Sequence, residues 1–227
     1  MGEPRCVLFD FGGTLDADGL PWGARFFSAY RRAGGLLYAA EFDALFRRSD
    51  AMLLETHPVR GLGLRAMIDQ QAAILASLLP GADPARAEHI AGQVHRDAVT
   101  IVRRNRPMLE RLARALPLGV VSNFTGNLRE CLAELDLLPL FSVVIDSTIA
   151  GVSKPDRAIF ARALAALDTT AGRPVWLVGD NPDYDVRPAS ELGMTTCWLA
   201  PTGRATPADL HPTHRIHSLL ELEALIR

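Results

Sequence analysis

The sequence predicts an α/β protein: a doubly wound parallel sheet whose first strand is followed by a long helical insertion. Two observations carry this expectation. Short apolar runs rich in strand formers alternate with segments of helical period, which is the order a parallel sheet requires. Residues 18 to 100 then break the alternation with a stretch that is mostly helical in period, turning at 58–63 and 80–84.

The first apolar run, RCVLFD at 5–10, ends in an acid and then glycines, so it reads as a buried strand that delivers Asp10 to its C-terminal edge. Four more strands follow at 118–122, 141–145, 174–178 and 195–199, with helix-period segments at about 105–116, 126–136, 156–167 and 184–192. Ligands of such sheets gather beyond the strands' C-terminal ends. That rule singles out four stretches: Asp10 to Thr14, Ser122 to Phe124, Ser153 to Pro155 and Gly179 to Asp185.

Composition narrows the partners. Lys+Arg of 24 against Asp+Glu of 26 leaves no basic excess, which argues against a nucleic-acid or membrane-surface protein. A hydrophobic share of 48% is ample for a core. Cys6, Cys131 and Cys197 are odd in number and widely spaced, so they read as core thiols in a reducing compartment, not as a disulfide framework or zinc site. With no apolar leader segment and no run of the ~20 apolar residues that a membrane span needs, the expected location is the cytoplasm.

Taken together, DFGGTL from Asp10, SNF from Ser122, SKPD from Ser153 and GDNPDYD from Gly179 resemble the four ordered motifs of the haloacid dehalogenase-like (HAD) hydrolase superfamily. With the helical insertion after the first motif, the chain resembles the C1-capped branch. The resemblance spans nearly the whole chain and implies a Rossmann-like core at 1–16 and 100–227 with a helical cap at 17–99. It also implies a magnesium-dependent phosphatase acting on a small phosphomonoester, with a small phosphorylated metabolite as its partner.

Each residue also has a reading of its own. Asp10 is either a turn aspartate or a nucleophile that forms an aspartyl-phosphate, and the backbone N–H groups of Gly12, Gly13 and Thr14 behind it tilt the balance toward phosphate chemistry. Asp180 and Asp185 crowd acid into one loop, which favours a cation there. By resemblance the magnesium ligands are Asp10, the carbonyl of Gly12 and Asp180, with Asp185 supporting. Asp183 reads better as a loop or helix-capping acid.

Lys154 is the only lysine in the chain, every other basic side chain being arginine. A compact ammonium is therefore expected to matter there, neutralising Asp10 and the transferring phosphoryl group. Ser122 and Asn123 are either a helix-entry turn or phosphate donors, and the family pattern favours phosphate contact for both.

One position departs from the pattern. Phosphatases of this family carry a second aspartate two residues after the nucleophile, where this chain has Gly12. That aspartate protonates the leaving oxygen and later activates water, help typically worth ~10² to 10⁴ in rate. Three readings follow: a phosphatase slowed or assisted by another acid such as Asp16, Asp18 or a cap side chain; a dehalogenase- or phosphonatase-type hydrolase; or a weakened phosphate-binding or regulatory protein. Asp16 and Asp18 otherwise read as turn acids. His211, His214 and His217 read as surface or packing residues, as do Trp22, Arg25, Tyr30, His57 and Arg60 in the insertion.

Overall fold

The computed structural model describes residues 4–56, 58–81, 83–167 and 174–226, so His57 lies outside the described residues. Strand β1 (Cys6–Phe9) is followed by a loop at Phe11–Leu15 and four helices: α1 (Trp22–Arg32), α2 (Ala39–Thr56), α3 (Leu64–Leu78) and α4 (Pro84–Ala115). Alternation then resumes with β2 (Leu118–Ser122), α5 (Leu128–Glu134), β3 (Val143–Asp146), the single turn α6 (Ser147–Ala150) and α7 (Arg157–Ala166). The chain closes with β4 (Val175–Gly179), α8 (Arg187–Glu191), β5 (Thr195–Leu199), β6 (His214–Ile216) and α9 (Leu222–Ile226).

The six strands form one all-parallel sheet in the order β3-β2-β1-β4-β5-β6. Its period-two alternation explains why the runs are apolar throughout. Val7, Phe9, Val120, Trp176 and Val178 pack with Met108, Leu109 and Leu112 of α4 and with Leu128 and Leu132 of α5 on one face. On the other, Leu8, Val121 and Leu177 pack with Ile159, Phe160 and Ala163 of α7 and Ala189 of α8. Both faces are covered, as a parallel sheet demands. The chain leaves β1 toward β2 and β3, then returns to β4 and continues to β5 and β6, so the strand order reverses between β1 and β4. The crevice beyond their C-terminal ends is the place where such sheets bind ligands.

Two elements differ from expectation. The segment expected as a helix at 105–116 belongs to α4, a helix running unbroken from Pro84 to Ala115 with Pro107 inside it, so residue 100 falls in mid-helix. Pro107 and Arg103, whose carbonyl would have received the missing N–H bond, both lie on the solvent side, where water can replace the partner. The short strand β6 was not expected. It pairs with β5 through His214 and Ile216, and the His214 ring stacks on Trp176 at 4.9 Å. That contact, and a 2.8 Å bond between His217 Nδ1 and the Ala200 carbonyl, agree with packing roles for these histidines.

Candidate active site

The strand ends bring the expected residues together. Asp10 follows β1, Ser122 ends β2, Lys154 follows the β3–α6 unit, and Asp180 and Asp185 follow β4. All five are buried, between 1% and 5% exposed. Lys154 Nζ donates to Asp10 Oδ1 and to Asp185 Oδ1, each at 2.6 Å, and Ser122 Oγ donates to Asp10 Oδ1 at 3.0 Å. One carboxylate oxygen each from Asp10, Asp180 and Asp185 lies within 4.8 Å of the others.

Glycine lets these groups approach. Gly13 has φ +96°, and a Cβ there would stand 2.8 Å from the Asp180 carboxylate. At Gly179 a Cβ would meet Asp185 at 2.5 Å. Gly12 is different, since its backbone is ordinary (φ −75°, ψ 111°) and a Cβ there would meet nothing within 4 Å. The missing side chain leaves open space that the fold does not require.

Electrostatics favours a cation. Three buried acids share one ammonium, and two unit charges about 5 Å apart repel by roughly 3 kcal/mol at an effective dielectric of about 20. Burial, then the neighbouring Asp10 and Asp185 carboxylates, hold Asp180 well above the usual carboxylate range. Burial likewise pushes Asp185 up to about 6, against the opposing pull of Lys154. For Lys154, burial pulls the ammonium down, but Asp10 and Asp185 outweigh it and hold it above the ordinary lysine value. A hard divalent cation with oxygen ligands suits this donor set, because it would relieve the repulsion the single ammonium leaves.

Asp10, Gly12, Ser122, Asn123, Lys154, Asp180 and Asp185 all border one cavity of about 470 Å³. The far wall comes from the helical insertion through Trp22, Asp50, Leu53, Leu54, Met67 and Gln71. The cavity is large enough for a small organic phosphate.

Several groups take places that the sequence did not reveal. Both ends of the Asn123 amide are engaged by one residue: Nδ2 donates to the Lys154 carbonyl at 2.9 Å, and Oδ1 accepts the Lys154 N–H at 2.7 Å. Asn123 thus fixes the lysine's backbone with Oδ1 and one Nδ2 hydrogen, while the second Nδ2 hydrogen stays uncommitted among the described residues at a side chain that borders the cavity. Asp146, at the end of β3, accepts the N–H groups of Gly126, Leu128 and Thr148 and so folds the loop behind Ser122. Asn181 caps the turn after Asp180 by accepting from Asp183 and Tyr184, whereas Asp183 is an exposed partner of Arg187. Asp residues at strand ends and Asn in a Gly/Pro loop are the only local hints of such roles.

Asp16 and Asp18 are turn acids in this fold. Asp16 is fully buried, accepts the Gly13 N–H at 2.8 Å and pairs with Arg25 at 2.5 Å. The Arg25 guanidinium in turn lies 4.7 Å from the centre of the Trp22 ring. Asp18 accepts from Arg104, Asn105 and the Leu219 N–H. Neither borders the cavity. Tyr30 OH accepts from Leu36 and Leu37 N–H, and Arg60 is exposed.

Comparison with known proteins agrees with this arrangement. A family model described as haloacid dehalogenase-like hydrolase matches residues 4–193. Phosphoserine phosphatase of Thermus thermophilus is 32% identical over 151 residues, covering 63% of this chain and 58% of that protein. The HAD-hydrolase YfnB from Bacillus subtilis, solved bound to magnesium, shares the fold with a TM-score of 0.63 at 17% identity, over 100% of both chains. A 2-haloacid dehalogenase from Pseudomonas syringae pv. Tomato superposes with a TM-score of 0.54 at 25% identity, over 98% of each. The chain spans about half the length of the curated relatives it matches. With four motifs at the ends of a reversing parallel sheet and a family model covering most of its length, the chain belongs to the haloacid dehalogenase-like hydrolases.

Proposed function

We propose that this hydrolase is a magnesium-dependent phosphatase that takes the phosphoryl group of a small phosphomonoester onto Asp10. The observation that carries the reading is the Lys154 ammonium held between Asp10 and Asp185 at 2.6 Å from each, with Asp180 beside them on one cavity. Asp10, the Gly12 carbonyl and Asp180 would hold the metal, with Asp185 in support. When bound, magnesium would neutralise charge on the phosphoryl oxygens.

The protein's own groups supply the rest. Lys154 and Ser122 fix the Asp10 carboxylate through one oxygen, which leaves the other to attack phosphorus. The lysine then offsets the charge that builds on the transferring group. Asn123 holds Lys154 in place from behind. The helices at 17–99 act as a cap over the core, opening for substrate and closing against water. No helix among the described residues is long and apolar enough to cross a membrane, and the three cysteines are free and buried, which suits a reducing cytoplasm.

A second reading has its own observation, the open space at Gly12, and makes the protein a phosphate-binding module that has given up hydrolysis. One experiment separates the two. With magnesium, the purified chain is expected to release phosphate from at least one member of a phosphomonoester panel, and Asp10→Asn to abolish it. Silence across the panel, with release gained in Gly12→Asp, would establish the binding module instead. Halide release from a haloacid in the presence of a chelator would point to a dehalogenase.

A further inference from the structure

Breaking an alkyl phosphate ester leaves an alkoxide that needs a proton, and clearing an aspartyl-phosphate needs a base to take a proton from water. Gly12 can do neither. Asp10 and Asp185 are paired with Lys154, Asp180 lies against them in the group suited to a metal and accepts from Thr14, and Asp16 and Asp18 are locked into ion pairs away from the cavity. Among the described residues, one further carboxyl borders the cavity: Asp50.

Asp50 stands on α2, on the wall opposite the strand ends, and is half-buried. No described residue forms a hydrogen bond or ion pair with it, which sets it apart from every other acid on the cavity. The turn that carries it is held firmly. Phe46 and Leu53 are buried on either side, and Ser49 donates to the Phe46 carbonyl at 2.8 Å while accepting from Gln71 Nε2 at 2.9 Å. A carboxyl fixed at the wall of a cavity and left without a partner among the described residues is a group suited to a proton-exchanging ligand.

We propose that Asp50 is the general acid and base that Gly12 lacks, acting across the cavity from Asp10. The step rests on the phosphatase reading above. As an Asp10 oxygen bonds to phosphorus and the ester P–O bond breaks, the Asp50 carboxyl gives its proton to the departing oxygen and the alcohol leaves. The Asp50 carboxylate then takes a proton from a water molecule whose oxygen attacks phosphorus. The bond to Asp10 breaks, inorganic phosphate leaves, and both carboxyls return to their starting states. Burial raises the Asp50 carboxyl above the ordinary range, which favours the proton-bearing form that the first half requires.

The test compares Asp50→Asn with the native chain, both loaded with magnesium, in single-turnover reactions with two probes. p-Nitrophenyl phosphate releases a phenolate that leaves without a proton, whereas propyl phosphate releases an alkoxide that needs one. The first turnover of propyl phosphate is expected to slow at least ~30-fold more than that of p-nitrophenyl phosphate. With the latter in excess over enzyme, Asp50→Asn is expected to give a burst of nitrophenolate and then stall with Asp10 phosphorylated. Adding Gly12→Asp to Asp50→Asn is expected to restore propyl phosphate turnover, and the double variant also controls for folding. Equal slowing of both probes, no slowing of either, or no rescue would overturn the role of Asp50 alone. Absence of phosphate release by the native chain across the whole phosphomonoester panel, these two probes included, would overturn the phosphatase reading, and this step with it.

Discussion

The two walls of the cavity are built on opposite principles. At the strand ends the groups around Asp10 are tied to one another: Lys154 to two carboxylates, Ser122 to Asp10, Asn123 to the Lys154 backbone. On the helical wall the lining is mainly apolar, and its one acid, Asp50, stands without a partner among the described residues. The contrast teaches a division of labour. Groups that must keep their charge and aim are fixed by neighbours, while a group that must change its protonation is left free to do so.

The sharpest way to break this comparison is on the committed side. Lys154→Met removes the single ammonium from among three buried acids, and kcat for phosphate release is expected to fall by roughly 10²–10³. Lys154→Arg should recover little of it, since a planar guanidinium does not fit a site shaped around two 2.6 Å contacts to one nitrogen. Near-native turnover in either variant would show that the pairing is structural only.

The next contrast lies between acids that work and acids that brace. Asp16→Asn leaves Arg25 buried without its counter-charge, and a loss of about 3–5 kcal/mol is expected in urea unfolding. Turnover per folded molecule should survive, because Asp16 does not border the cavity. A selective loss of turnover at full stability would move Asp16 from the scaffold into the chemistry.

A smaller effect concerns the metal. Asp185 is held at about 6, above its ordinary value of 3.8, and Asp180 is raised as well. A folded-state value above the unfolded one means that the metal-free fold gains stability from Asp185 as pH falls through about 6 toward 3.8 and loses it as pH rises. Magnesium needs the ionised form, so its stabilising effect must run the other way. The rise in Tm on adding magnesium is expected to be clear at pH 7.5 and to shrink at pH 5.5, read by thermal melting across that range. A rise that is independent of pH would place the metal away from these carboxylates.

How much of this was legible in the sequence follows from where each signal is stored. Asp10, Ser122, Lys154, Asp180 and Asp185 could be found because an apolar run marks a buried strand and its polar end marks the crevice. The solitary lysine stood out by composition alone. The bond from Asn123 to Lys154 joins residues 31 apart, and the pair of Asp16 with Arg25 joins a loop to the next helix. No local pattern encodes such choices of partner. Asp50 was hidden for a related reason: on an amphipathic helix it looks like any solvated acid until the packing of Phe46, Ser49 and Leu53 turns it to the cavity. Strand β6 is only three residues long and owes its place to pairing with β5, and the true length of α4 was masked by Pro107.

The account stands or falls on where the phosphoryl group goes. Rapid acid quench during turnover, followed by peptide mass spectrometry, should find a phosphoryl adduct on the peptide carrying Asp10, and the adduct should be absent from Asp10→Asn. Phosphate release without any adduct on that peptide, or with one elsewhere in the chain, would contradict it.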